Sequence, residues 1–235
     1  MQRNIVEMIA AGSFALTLIL GATRLTQAEE AKAPYPSMAP MEKYLMGRDA
    51  EIALARSAAP AAVSAQAEVL VLGQKGYGTA VKGTNGFVCI VERSWAQGFD
   101  EPEFWNPKMR APICFNLPAA RSVLPPYLER TKMVLSGESK TQVKDSIEAA
   151  FDKQQLSTPA PGSMCYMMSS HAYLNDSAGR WHSHLMFFLP TTDGAAWGAG
   201  LPGSPLLVAQ DPFNHLTVFM LLVGKWSDGT PASTD

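Results

Sequence analysis

Apolar positions in the first third of the chain predict short β-strands. Residues 68–72, 77–81 and 87–92 are brief apolar runs rich in β-branched side chains. The connections between them, 73–76 and 83–86, begin and end with glycine, and the second carries Asn-Gly, which is typical of hairpin turns. These three runs predict an antiparallel meander.

Helical spacing of apolar side chains appears before and after these strands. Residues 41–57 predict a first helix. Asn116, followed by a proline two residues later, predicts an N-cap, and the helix resumes over residues 127–135 after a Pro-Pro pair. Ser139 and Gln142 have capping-box spacing. The helix after this box repeats apolar side chains every four residues, at Val143, Ile147 and Phe151.

The densest apolar stretch predicts a central hairpin. Residues 181–189 lack helical spacing and contain several aromatics, so we interpret them as a strand that ends at Pro190. Side chains alternate between the two faces of a strand, which places His182 and His184 on one face. A turn signature, Asn-Asp-Ser-Ala-Gly, precedes this strand, and the apolar run 164–168 precedes the turn.

The hairpin register decides whether histidines converge. A four-residue loop at 175–178 places His171 opposite His182 and Ser169 opposite His184, with facing Cβ atoms about 5 Å apart. His171, His182 and His184 would then share one patch, and three histidines with a water form an open zinc site. A loop longer or shorter by one residue puts His171 on the opposite face. The alternative to a metal site is that His182 and His184 are packed or half-exposed histidines with satisfied hydrogen bonds.

The segment 93–117 is rich in aromatic residues and interrupted by prolines. Long connections without regular structure often carry function. Trp105 can serve as a platform, with Asn106 and Arg110 as polar groups, in a pocket for a small-molecule ligand. The alternative is that these aromatics cover one end of the core.

The element order predicts an α+β fold. One helix, three strands, several helices and about four strands follow one another without β-α-β alternation, which disfavours a parallel sheet. We therefore expect a single antiparallel β-sheet of about six to seven strands with helices packed on it. This order resembles that of the profilin-like folds, which include PAS and GAF sensor domains. The resemblance implies a sensor-like layout and assigns no functional residue.

The first 28 residues have the pattern of an export signal. A short basic start precedes an apolar core at 9–22, and Thr26-Gln-Ala28 is a plausible cleavage site. The alternative is an uncleaved membrane anchor. Residues 29–235 are then expected to form one domain, with an extended lead-in at the start, a frayed tail at 227–235 and no stable membrane span.

Charge and cysteine content narrow the function classes. The net charge is −2, with acidic and basic residues interspersed, which disfavours nucleic-acid binding. The three cysteines leave two alternatives, a Cys89–Cys114 disulfide or three buried thiols; Cys165 lacks an obvious base as a partner.

Three functional hypotheses follow. The first is an exported small-molecule-binding or sensor-like module, in the periplasm or secreted, with a pocket between the sheet and the segment 93–117. The second is a metal-dependent hydrolase that uses zinc or another divalent metal at His171, His182 and His184. The third is an accessory protein that acts by interaction. The first is favoured because it requires only a pocket, and whether the protein is an enzyme stays open.

Overall fold

The structure, a computed structural model, describes residues 34–179 and 181–232, all within one compact unit. The predicted export signal at 1–28 lies outside the described residues.

One mixed sheet of eight strands organises the described chain. From edge to edge its order is β2-β1-β3-β4-β5-β6-β8-β7, and β1–β3 is the one parallel pair. The expectation of a single antiparallel sheet with six to seven strands is therefore wrong. This strand order does not support the profilin-like layout that the order of elements suggested. The strands are β1 (Glu68–Gly73), β2 (Gly76–Val81), β3 (Val88–Glu92), β4 (Ala111–Phe115), β5 (Met164–Met167), β6 (His184–Pro190), β7 (Leu206–Asp211) and β8 (Leu216–Leu222).

Five α-helices accompany the sheet in the described ranges. The predicted helix at 41–57 is wrong in extent, because it is divided into a 3₁₀ turn (Met41–Lys43) and a helix that starts only after Gly47. None of these helices is long and apolar enough to cross a membrane. They are α1 (Arg48–Arg56), α2 (Ala61–Ser64), α3 (Leu117–Ser122), α4 (Leu124–Leu135) and α5 (Lys140–Asp152).

Both predicted helix caps are confirmed. Asn116 accepts a hydrogen bond from the N–H of Ala119 at the start of α3. At α5, the Ser139 hydroxyl accepts from the N–H of Gln142, and the Gln142 side chain accepts from the N–H of Ser139. These caps satisfy N–H groups that have no partner within the helix.

The predicted meander of β1, β2 and β3 is wrong at its second turn. β2 returns beside β1 as expected, but β3 pairs in parallel on the other side of β1. The connection from β2 crosses the start of β1, where Thr84 donates its N–H to the carbonyl of Gln66. At Gly83, a Cβ atom would lie 2.1 Å from the backbone nitrogen of Glu68. Glycine therefore permits the crossing that makes β3 parallel to β1.

Strand β4 was not predicted from the sequence. It lies inside the segment expected to be irregular, and Pro112 argued against a central strand. The ladder between β4 and β5 contains only Cys114 and Phe115 on the β4 side. Pro112 lies opposite Val91 of β3 and outside the ladder between β4 and β5, so its missing N–H removes no bond from that ladder.

The two faces of the sheet pack against different helices. We call the face with Glu92, Met167 and His184 the front face, and α3 and α4 pack over part of it. The back face carries Val69 and Cys114 and packs against α1. Cys89 and Cys114 lie opposite each other on this back face and form a disulfide. Of the two alternatives for the cysteines, the structure therefore has the disulfide and not three buried thiols. Cys165 is a buried thiol on the front face.

Substitution Gly83→Ala tests the chain crossing. The added methyl group meets backbone atoms that cannot move aside, so we expect a loss of about 1–3 kcal/mol in the free energy of unfolding. The matched control is Gly78→Ala, because no atom lies within 4 Å of a Cβ at Gly78. Urea titrations of both variants measure the difference. Equal stability of the two variants would contradict the assigned crossing.

The disulfide predicts the thiol count. The unfolded chain should show one reactive thiol, that of Cys165, before reduction and three afterwards. Titration with a thiol reagent in guanidinium chloride measures both values. Three thiols before reduction, in protein isolated from an oxidising compartment, is the contrary result.

Candidate ligand cleft

Trp105, the predicted platform, contributes to packing. It is buried, and its ring lies edge-on to Phe104 with the ring centroids 4.7 Å apart. Its carbonyl accepts a hydrogen bond from the Tyr44 hydroxyl at 2.8 Å. It also lines a groove that is formed by residues 36–38 and the start of α5.

The two predicted polar side chains, Asn106 and Arg110, make hydrogen bonds to other groups of the protein. Asn106 is fully buried and donates to a carboxylate oxygen of Glu103 at 2.6 Å. The Arg110 guanidinium donates to the carbonyls of Pro107 and Lys43 at 2.9 and 3.1 Å. Trp105, Asn106 and Arg110 are therefore not gathered around one cavity.

The histidines do not follow the predicted register. β5 and β6 pair with His184 opposite Met167 rather than Ser169, so the expected facing pair is wrong. At the tip, Leu174 still donates its N–H to the carbonyl of Gly179, as a four-residue loop requires. Two extra residues on the incoming side separate the tip from the ladder.

Backbone hydrogen bonds to distant segments explain the two extra residues before the hairpin tip. Met168 donates its N–H to the carbonyl of Ala58 and accepts from the N–H of Ser227, and Tyr173 pairs with Arg110. The chain between Met168 and Tyr173 thus leaves the hairpin.

The three histidines consequently differ in setting. His171 is exposed in a turn, His182 is exposed just before β6, and His184 is buried on the front face. In residues 34–179 and 181–232, no three His, Cys, Asp or Glu side chains form a group that could hold a metal ion. The zinc hypothesis gains no support from this arrangement.

An apolar cleft of about 560 Å³ opens on the front face, and we call it the front cleft. The sheet forms its floor, and one wall is the segment that follows β3. Its lining residues are Glu92, Ala96, Gln97, Met109, Ala111, Met167, Leu174, Ala178, Trp181, His182, His184, Met186, Met220 and Leu222.

Small and flexible side chains create this space. Ala96 and Ala111 face the cleft where larger residues would fill it, and Ala178 lies at the exposed rim. Four of the lining residues are methionines, whose unbranched thioethers adapt to irregular apolar shapes. The cleft is therefore suited to an apolar occupant.

A smaller cavity of about 160 Å³ adjoins the front cleft under α4. Glu92, Ala96 and Met186 line both spaces. The smaller cavity is more polar, because Arg130 and Asn214 also line it.

Glu92 occupies the junction of the two cavities. Burial raises the pKa of Glu92 to about 7, although the Arg130 guanidinium acts in the opposite direction. Arg130 is itself held by the carbonyls of Trp95 and Gln97 at 2.9 and 3.0 Å. Near neutral pH, the carboxyl of Glu92 can therefore either donate a hydrogen bond or carry a negative charge.

Two buried polar atoms near these spaces have no hydrogen-bond partner. They are Nε1 of Trp181, which lines the front cleft, and Oδ1 of Asn214, which lines the smaller cavity. An unpaired buried donor or acceptor costs about 1–3 kcal/mol. A bound molecule with a complementary polar group would remove that cost.

His184 presents one ring nitrogen for interaction. Its Nδ1 lies 2.7 Å from the carbonyl oxygen of His182, and a carbonyl can only accept, so Nδ1 carries the hydrogen. The lone pair then lies on Nε2. Burial lowers the pKa of His184, which keeps the ring neutral, and the Trp181 ring packs edge-on to it at 5.7 Å.

A second apolar cavity, of about 650 Å³, lies on the back face beside Phe187 and Trp197. None of its described lining residues carries an unpaired buried polar side-chain atom. The front cleft is therefore the better candidate for a specific site.

The sequence contained signals for the residues that were missed. Glu92 is a charged residue at the end of an otherwise apolar strand, and it had no evident partner in the sequence. Met167 and Met186 lie in the apolar runs that predicted the hairpin, but methionine in such a run is usually a packing residue and did not indicate a site.

Comparison with family models, with curated proteins and with solved structures found no match to this chain.

The pKa of Glu92 predicts a pH effect on stability. Its ordinary value is 4.5 and its value in the folded protein is about 7, so the folded state holds the extra proton between these limits. The stabilisation from Glu92 is complete below pH 4.5 and is lost as the pH rises through 7. Glu92→Gln should remove this loss.

Melting temperatures from pH 5 to pH 8 provide the measurement. The difference between Glu92→Gln and the wild type should grow in favour of the variant as pH rises. Glu42→Gln, at an exposed position, is the matched control and should follow the wild type. A constant difference across this range would exclude the raised pKa.

Proposed function

We propose that the protein binds a small, largely apolar molecule in the front cleft. The observation that carries this proposal is an unpaired buried donor, Nε1 of Trp181, on a residue that lines the apolar front cleft. Sites for small molecules typically combine an apolar lining with a few polar groups.

The volume of the cleft supports this class of ligand. A value of about 560 Å³ lies within the range of roughly 300–1,000 Å³ that is usual for small-molecule sites. The four methionines allow the lining to adjust to ligands of different shape.

The polar groups favour a ligand with a hydrogen-bonding end. Trp181 can donate a hydrogen bond from Nε1, and Asn214 can accept one at Oδ1. Glu92, between them, can pair with a donor or a cation when it is ionised. An apolar body with one or two polar substituents would use all three residues.

An exported location is part of the proposal. The Cys89–Cys114 disulfide supports it, since disulfides form and persist mainly in oxidising compartments.

Blocking the cleft mouth tests the proposal. The probe is N-phenyl-1-naphthylamine, a neutral apolar dye whose fluorescence rises in apolar surroundings. Ala178→Trp places a large ring at the exposed rim, and we expect dye binding to weaken by about tenfold, or 1.4 kcal/mol. Fluorescence titration gives Kd for each protein.

The matched control is Ala62→Trp, at another exposed alanine, on α2. This variant should bind the dye as the wild type does. The same Kd in all three proteins, or no saturable binding to the wild type, would rule out the front cleft as the site.

A further inference from the structure

Three strands bring sulfur and nitrogen donors together on the floor of the front cleft. His184 of β6 lies opposite Met167 of β5. Met186 follows His184 by two residues, which places it on the same face. Met220 of β8 lies opposite Met186, and all four side chains line the front cleft.

The spacing allows these side chains to reach one point. Facing residues in an antiparallel pair have Cβ atoms about 5 Å apart, and alternate residues of a strand are about 7 Å apart. Methionine has three rotatable bonds that carry its sulfur several ångströms from the backbone. The thioethers of Met167 and Met186 can therefore both approach the His184 ring.

The hydrogen bond of His184 suits a metal ligand. Its Nδ1–H donates to the carbonyl of His182, so the Nε2 lone pair is available. Metal-binding histidines almost always donate their other N–H to a carbonyl, a carboxylate or water, which fixes the ring orientation. The ring is about nine-tenths buried, with 8% exposure, and lines the cleft.

We propose that the front cleft also binds a soft monovalent metal ion, with Cu(I) as the biological ion, through His184 Nε2 and the thioether sulfurs of Met167 and Met186. Thioethers select Cu(I) among biological metals, and imidazole binds copper well. Met220, which lies opposite Met186 and lines the same cleft, can supply a third sulfur. This site differs from the three-histidine zinc site in its ligands, its metal and its independence of His171.

The proposal extends beyond small-molecule binding and can fail separately. Leucine has nearly the volume of methionine and lacks sulfur, so the double variant Met167→Leu/Met186→Leu keeps an apolar cleft without the metal ligands. The double variant Met46→Leu/Met133→Leu is the matched control, because both positions lie outside the lining of the cleft.

Anaerobic titration of the full chain against a chromophoric Cu(I) chelator measures affinity and stoichiometry. We expect one Cu(I) per chain in the wild type and in the control. In the cleft variant we expect binding to weaken by more than the roughly 10–100-fold that follows loss of an outer-shell partner. Dye binding by the control variant should match that of the wild type, because Met46 and Met133 lie outside the lining of the cleft.

X-ray absorption of the wild-type Cu(I) complex gives a test that requires no variant. Sulfur scatterers together with one imidazole are expected. A shell of nitrogen and oxygen alone, no stoichiometric Cu(I), or equal affinity in the cleft variant would overturn the metal site. No saturable dye binding by a wild-type protein that still binds one Cu(I) would instead overturn the small-molecule proposal.

Discussion

A buried ion pair between Glu51 and Arg93 holds the first helix to the sheet. Both side chains are essentially inaccessible, and Nη2 of Arg93 lies 2.9 Å from Oε1 of Glu51. Glu51 also accepts the N–H of Leu72 in β1, and Arg93 donates to the carbonyls of Tyr44 and Val91. These bonds compensate for much of the cost of removing two charges from water. Removal of one partner alone would leave an uncompensated charge in the core, typically at a cost of about 3–5 kcal/mol.

The same arginine determines where the wall of the front cleft begins. Arg93 follows the last residue of β3, and the chain then turns over the sheet in a short 3₁₀ segment. Arg130 of α4 holds that segment from the other side through the carbonyls of Trp95 and Gln97, and its guanidinium lies 4.3 Å from the centre of the Phe99 ring. Two buried arginines thus fix a wall that has little regular secondary structure. Arg130 and Trp95, whose Nε1 donates to Oγ1 of Thr131, anchor this wall to α4.

Local features of the fold could be predicted from the sequence, whereas contacts between distant segments could not. The capping box at Ser139 acts within one helical turn, so nearby residues suffice to predict it. The register of β5 and β6 depends on bonds that Met168 makes to Ala58, which follows α1, and to Ser227, and no pattern near the hairpin contains this information. The same distinction between local features and distant contacts applies to the candidate site. A pocket beside the segment 93–117 was expected, and the cleft has its wall there, but the functional side chains expected in it, such as Trp105, pack elsewhere. Glu92 and the methionines become candidates only when distant strands are placed side by side.

The short ladder between β4 and β5 has a mechanical consequence. The ladder that joins the first four strands of the sheet to the last four contains only two residue pairs, Cys114 with Tyr166 and Phe115 with Cys165. The pair of Arg110 and Tyr173 lies outside the named strands. Asn116 reinforces this seam through bonds to the backbone of Met164. The front cleft lies across the seam, with Glu92 on one side and the β6 and β8 residues on the other. A molecule bound in the cleft would therefore contact both halves of the sheet. Its contacts would add to the two ladder pairs and make the halves harder to separate.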